Sequence, residues 1–188
     1  VVALYATFAQ RAFDQMFQEV ALQGLPVILC MDRAGLVGQD GAVHHGFADI
    51  TTLRLLPGMH LMAPADAAEL GAALDCALSL DGPSAIRYPR DLVSPELPGP
   101  CPRFEPGRAR FLREGADGTF LTYGTMAAPA LEAAGALADA DGLEVGVVNA
   151  RFAKPLDTAL LARLLPGGAP VVTCEDHAAA GGFGAAVL

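Results

Sequence analysis

Short apolar runs without polar alternation recur along this chain, each separated from the next by a stretch in helical spacing or by glycine and proline. Val1-Val2-Ala3-Leu4 reads as a strand. It is followed by Phe8 to Gln23, where Phe8, Ala12, Phe13, Met16, Phe17, Val20 and Ala21 recur at helical intervals, with Thr7 in position to cap and Gly24 to stop. Leu25 to Met31 is apolar throughout, as a strand covered on both faces of a parallel sheet must be. Strand, helix and strand in that order predict a right-handed parallel unit. Ile50 to Leu56 then reads as a short helix or turn before Pro57-Gly58, His60 to Ala63 as a strand, Asp66 to Leu80 as a helix capped by Asp66, and Ser84 to Tyr88 as a strand.

The pattern lapses between Pro89 and Pro106, where Pro89, Pro95, Pro98, Pro100, Pro102 and Pro106 remove donors and fix φ. Beyond it the alternation restarts. Strands are expected at Thr119 to Tyr123, Glu144 to Asn149 and Ala169 to Cys174, helices at Met126 to Ala140 and Asp157 to Leu165, and Gly181-Gly182-Phe183-Gly184 opens another helix. The expected fold is α/β, with two doubly wound domains built on mostly parallel sheets. The first spans residues 1–91, a proline-rich linker spans 92–116, and the second spans 117–188. The chain opens inside a strand without an initiator methionine and stops inside a helical pattern, so both domains are expected to be truncated and the chain a piece of something longer.

Composition narrows the class. With 53% hydrophobic and 18% charged residues among 188, the chain forms a core. A net charge of -9 argues against nucleic acid and anionic membranes as partners. No apolar run reaches the roughly 18 residues of a membrane span, and no basic leader precedes one, so a cytoplasmic address is expected. Cys30, Cys76, Cys101 and Cys174 contain no C-x-x-C pair, which speaks against a zinc site, and Cys30 and Cys174 read as buried small hydrophobes.

The chemistry concentrates in Asp32 to Asp49, a glycine-rich stretch that begins where a buried strand stops. Open α/β sheets bind ligands beyond the carboxyl ends of their strands. Tyr5 follows the first strand, Arg33 the second, and Arg90 the strand at Ile86-Arg87-Tyr88, so all three are expected at one sheet edge. Two converging guanidiniums there suit a phosphate, though each arginine alone reads as well as a surface salt bridge. Phe8 and Arg11 lie near the start of the first helix, where Phe8 reads equally as core. His44 and His45 offer acid-base chemistry with one of them facing a site, while Asp40 is either a hydroxyl acceptor or a turn residue. His60 reads as structural, and no metal site is expected.

Several motifs in order carry a resemblance. Tyr5-Ala6-Thr7-Phe8-Ala9-Gln10-Arg11, Asp32-Arg33-Ala34-Gly35 with Gly38-Gln39-Asp40-Gly41 and His44, Asp81-Gly82-Pro83-Ser84 through Arg87-Tyr88-Pro89-Arg90, Asn149-Ala150-Arg151-Phe152-Ala153-Lys154-Pro155, and Glu175-Asp176-His177 together resemble the 1-deoxy-D-xylulose-5-phosphate synthases of the transketolase superfamily. The resemblance implies a pyrimidine-binding domain followed by a transketolase C-terminal domain. It implies a transferase that uses thiamine diphosphate and Mg²⁺ to condense pyruvate with glyceraldehyde 3-phosphate, releasing carbon dioxide, in a homodimer. By position, Phe8 stacks on the cofactor's aminopyrimidine, and Tyr5, Arg33 and Arg90 hold the triose phosphate with Arg11 in the same polar pocket. His44 and Asp40 carry the catalytic contacts, and Glu175-Asp176-His177 is assigned a structural or interface role. The family's catalytic glutamate and its diphosphate and metal ligands have no counterpart here, so the fragment alone is expected to be inactive. Two alternatives stay open: the β-subunit of a 2-oxoacid dehydrogenase, which has no phosphorylated acceptor, and a non-catalytic interaction module.

Overall fold

The computed structural model describes residues 1–188. Four strands, β1 (Val2–Tyr5), β2 (Ile28–Asp32), β3 (His60–Met62) and β4 (Ser84–Arg87), lie mutually parallel in the order β1-β2-β4-β3. Helices α3 (Asp49–Leu55) and α4 (Ala67–Ser79) connect them, and Asp66 caps α4 by accepting from Glu69 N at 2.8 Å. The second sheet has the order β5-β7-β6-β9, from β5 (Arg110–Arg113), β6 (Gly118–Thr122), β7 (Val145–Asn149) and β9 (Val171–Cys174). Around it pack α5 (Ala127–Asp141), α6 (Thr158–Leu164) and α7 (Phe183–Val187). No helix is long and apolar enough to cross a membrane.

Three elements depart from the sequence expectation. The helix expected over Phe8 to Gln23 is broken into α1 (Ala6–Ala9), a 3-10 turn (Gln10–Ala12), α2 (Phe13–Gln15) and a π-helical segment (Met16–Ala21). Its wide turns, seen in Leu22 N donating to Phe17 O at 2.9 Å, bring Ala21 back to the buried side five residues after Met16. Thr7 does not cap it. Secondly, β5 lies inside the stretch expected to be linker, because Arg110–Arg113 pairs antiparallel with the fully buried β7. Thirdly, β8 (Phe152–Lys154) leaves the second half of the chain and joins the first sheet antiparallel to β3. Arg151, in the left-handed region at φ 61°, makes the turn that sends it there.

The two halves share one core. A cluster of 21 buried residues runs from Met31, Ile50 and Leu61 around the first sheet to Tyr123, Val148 and Phe183 around the second. Tyr123 stacks on Phe183 with centroids 5.1 Å apart, and its hydroxyl donates to Leu61 O at 3.3 Å. Burial lifts the Tyr123 phenol far above its ordinary range, so it stays a donor.

A second joint is ionic. Glu69 on α4 is fully buried and accepts from Arg110 Nη1 at 3.1 Å, Arg151 Nε at 3.0 Å and Nη2 at 2.9 Å, and Asn149 Nδ2 at 2.8 Å. The same two arginines donate to the carbonyls of Pro98, Gly99, Pro100, Pro102 and Arg103. A proline-rich segment is short of donors and rich in acceptors, and a guanidinium offers donors only. The match explains how residues 98–103 are tied down without a helix or strand of their own.

Candidate functional site

The parallel register sets the site. Tyr5 ends β1 opposite Asp32, and Met31 stands opposite Arg87 at the end of β4, so Tyr5, Arg33 and Arg90 leave the sheet at one edge. Arg33 has φ 59°, a conformation that costs a residue with a side chain roughly 1 kcal/mol or more and turns it back over the sheet edge. Its guanidinium carbon lies 4.0 Å above the Tyr5 ring, within cation–π range.

Asp40 ties this group together. Its Oδ2 accepts from Arg33 Nε at 3.2 Å and its Oδ1 from Arg90 Nη1 at 3.0 Å. Arg33 is also paired with Asp32. Desolvation alone would lower the Arg33 pKa, but Asp40 and Asp32 overcome it and hold the value above the ordinary one. The anion between the two arginines is therefore the chain's own carboxylate, and Asp40 is more than a turn residue or a hydroxyl acceptor.

On the other side of Asp40 its carbonyl lies 2.8 Å from His44 Nδ1. A carbonyl only accepts, so Nδ1 carries the hydrogen and Nε2 is left free for another partner. The His44 ring packs 5.9 Å from Phe8, edge on, and 6.1 Å from Tyr5, while Tyr5 and Phe8 are 5.0 Å apart. Phe8 is 48% exposed, so the ring is not core but keeps area open to a ligand. His45 is turned away, accepting from Val37 N at 3.1 Å and stacking on Phe47.

Arg11 stands apart from the arginine pair. With Thr7, Phe8, Gln10, Val43 and His44 it lines a cleft of about 310 Å³ and makes no ion pair. The Thr7 hydroxyl, buried at that cleft, has no hydrogen-bond partner, an expensive condition that a ligand with a polar edge relieves. An aromatic ring with open area, a spare imidazole nitrogen, a free guanidinium and an orphaned hydroxyl make a fitting bed for a flat, polar heterocycle.

Sequence reasoning passed over a buried pair beneath the loop. Asp49 and Arg87 are almost wholly inaccessible, with Arg87 Nε donating to Asp49 Oδ2 at 2.8 Å. Burial would raise the Asp49 pKa, but Arg87 and His177 bring it below the usual carboxylate range. The available signal was Arg87 itself, a charge at the end of an apolar strand that is buried only when paired.

Residues 1–95 match the model of the transketolase pyrimidine-binding domain, and residues 107–188 match that of the transketolase C-terminal domain. The chain belongs to the transketolase family. Among curated transketolase-family relatives it is 50% identical over 188 residues to the 1-deoxy-D-xylulose-5-phosphate synthase of Rhodopirellula baltica, and 49% identical over 188 residues to that of Thermus thermophilus. Each alignment takes in all of this chain and 29% of the relative, so the chain spans under a third of their length. Among solved structures it resembles a split-gene transketolase described as an inactive beta4 tetramer. The TM-score is 0.89 at 39% identity, covering 98% of this chain and 60% of that one. Both α/β parts thus carry the transketolase architecture, with β5 and β8 as the antiparallel edges of otherwise parallel sheets.

Proposed function

We propose that this chain supplies the acceptor site and the aminopyrimidine site of a thiamine-diphosphate-dependent synthase that condenses pyruvate with glyceraldehyde 3-phosphate to 1-deoxy-D-xylulose 5-phosphate and carbon dioxide. The observation that carries the reading is the meeting of Tyr5, Arg33 and Arg90 at one sheet edge. Two guanidiniums held by one carboxylate are charged, oriented and ready to exchange that carboxylate for a phosphate, which offers more acceptor oxygens and more charge. This favours a phosphorylated acceptor over the lipoyl acceptor of a 2-oxoacid dehydrogenase.

In this reading the roles divide along Asp40. Arg33 and Arg90 take the phosphate, and Tyr5 backs the Arg33 guanidinium. Phe8 stacks on the aminopyrimidine, Thr7 and Arg11 meet its polar edge, and His44 Nε2 holds or moves a proton at the reacting oxygen while Asp40 O fixes its tautomer. Thiamine diphosphate, when bound, supplies the carbon nucleophile. The chain spans under a third of the synthases it matches, so the diphosphate and its Mg²⁺ would be held by other parts of the protein, and the 188 residues alone would be inactive. Their functional division would be 1–91, 92–116 and 117–188, with β5 drawn from the connecting stretch. A homodimer suits the half-exposed Phe8, the exposed Leu22 that ends the first helical segment and the exposed Leu25 beyond it, and four free thiols suit a reducing compartment such as the cytoplasm.

The test is a transplant. The matching 188 residues of the Rhodopirellula baltica synthase are replaced by this chain, and the folded chimera is given labelled pyruvate with thiamine diphosphate and Mg²⁺. Carbon dioxide and 1-deoxy-D-xylulose 5-phosphate are expected on addition of glyceraldehyde 3-phosphate. A folded, cofactor-loaded chimera that ignores the triose would overturn the proposal.

A further inference from the structure

Glu175, Asp176 and His177 follow β9 directly, and each reaches a different target. Glu175 stays within its own half, accepting from Phe183 N at 2.6 Å and Gly184 N at 2.8 Å at the start of α7. Asp176 crosses to the first half. Its two carboxylate oxygens accept from Leu36 N at 3.1 and 3.2 Å, and its carbonyl accepts from Arg87 Nη2 at 3.1 Å. His177 also crosses, placing Nε2 at 3.4 Å from Asp49 Oδ1 with no other partner for either atom.

The point of attachment is what gives this crossing its meaning. Leu36 lies three residues past Arg33, within the loop that carries Asp40 and His44. That loop closes on itself at Gly35 and Gly46, where Gly46 N donates to Gly35 O at 2.8 Å and Gly35 N to Gly46 O at 3.1 Å. Neither glycine tolerates a side chain. A Cβ on Gly35, at φ 80°, would overlap the Asp176 carboxylate, and one on Gly46 would press on Arg33 O at 2.7 Å. The loop's own hydrogen bonds fix its neck, Ala34 N ties that neck to Tyr88 O at 3.1 Å, and Asp176 holds Leu36, the next residue beyond it, from the other half of the chain. Arg87 braces the Asp176 backbone through a guanidinium already locked to Asp49.

We infer that Asp176 is a positioning residue: through Leu36 it sets the loop bearing Arg33, Asp40 and His44, so that the second half of the chain controls the geometry of the anion site in the first. The inference about the loop stands on contacts alone. Only its consequence for anion affinity rests on the proposed function.

Two measurements on the 188-residue chain separate these. Amide exchange by NMR is followed at Leu36, Gly35 and Gly46, with Leu29 and Met31 of β2 as internal reference, and inorganic phosphate is titrated onto the Arg33 and Arg90 side-chain resonances. In Asp176→Ala, exchange at Leu36 and Gly46 is expected to rise at least tenfold while the β2 amides keep their protection, and phosphate affinity is expected to fall about fivefold or more. Asp176→Asn retains one acceptor oxygen and is expected to restore most of both. Should Asp176→Ala fail to fold, Asp176→Ser, whose side chain is too short to reach Leu36 N, probes the same contact with the same expected pattern. Unchanged exchange at Leu36 and Gly46 in a folded variant overturns the inference. If the unaltered chain binds no phosphate, the anion-site reading fails, and the exchange data still decide the role of Asp176.

Discussion

Arg90 Nη1 donates to Asp40 Oδ1 at 3.0 Å across fifty residues of chain, so the ends of β2 and β4 are bridged by an ion pair at the very place where an incoming anion is expected to bind. In the proposed site Asp40 is a competitor for that anion. Removing its charge in Asp40→Asn should free Arg33 and Arg90 for an external anion. The pairs are partly exposed, so the gain is modest, about three- to tenfold. Calorimetric titration with inorganic phosphate at low ionic strength checks it, and added salt should shrink the difference. Weaker binding by the variant would mean that Asp40 assembles the arginines rather than blocking them.

Glu69 holds two buried guanidiniums from the other half of the chain. Glu69→Gln leaves both of them short of charge in a site without water access. Breaking one side of a buried pair costs about 3 to 5 kcal/mol, roughly a fifth or more of the stability of an ordinary domain. Denaturant unfolding should show this loss. Limited proteolysis should then cut first within residues 98–103, whose carbonyls those arginines hold. A variant as stable as the parent would contradict the assignment of Glu69 as the joint.

Asp49 gives stability a dependence on acid. Its carboxyl is held below the ordinary value of 3.8, so the unfolded chain takes up the proton more readily than the folded one. The contribution of the Asp49–Arg87 pair is complete above the unfolded value and is lost as pH falls through the lower, folded one. At pH 7, Asp49→Asn should be less stable by about 3 to 5 kcal/mol. The gap should hold to about pH 5 and narrow below about pH 4 as the parent's own carboxylate is neutralised. Paired urea melts from pH 7 to pH 3 measure it, and a gap that stays constant through that range would rule out Asp49 as the titrating group.

What could be seen in the sequence was whatever a parallel sheet makes local. An apolar run ending in charge marks a strand's carboxyl end, and such ends share one edge, which is why Tyr5, Arg33 and Arg90 were legible from three separate stretches. The glycine spacing of Asp32 to Asp49 marked the loop for the same reason. Contacts chosen by tertiary packing were not legible. Nothing within reach of Arg87 announces Asp49, 38 residues away, or the Asp176 carbonyl, 89 residues away. Strands β5 and β8 carry Arg or Lys at their ends in place of an unbroken apolar run, and exist because β7 and β3 offer them an edge. Phe8 looked like one more residue of an apolar helix face. The break at Gln10–Ala12 is a backbone event that side-chain spacing does not record.

The central claim is that Arg33 and Arg90 hold a phosphate belonging to the acceptor substrate, and the most direct measurement is the split between acceptor and donor in the chimera that carries this chain. Arg33→Ala and Arg90→Ala each remove charge-assisted bonds to that phosphate. The half-saturating concentration of glyceraldehyde 3-phosphate should rise about 30-fold in each variant, and that of pyruvate should move less than about threefold. Unphosphorylated glyceraldehyde should be used equally by parent and variants. Unchanged saturation by the triose phosphate in both variants, with the chimera folded and active, would contradict the account.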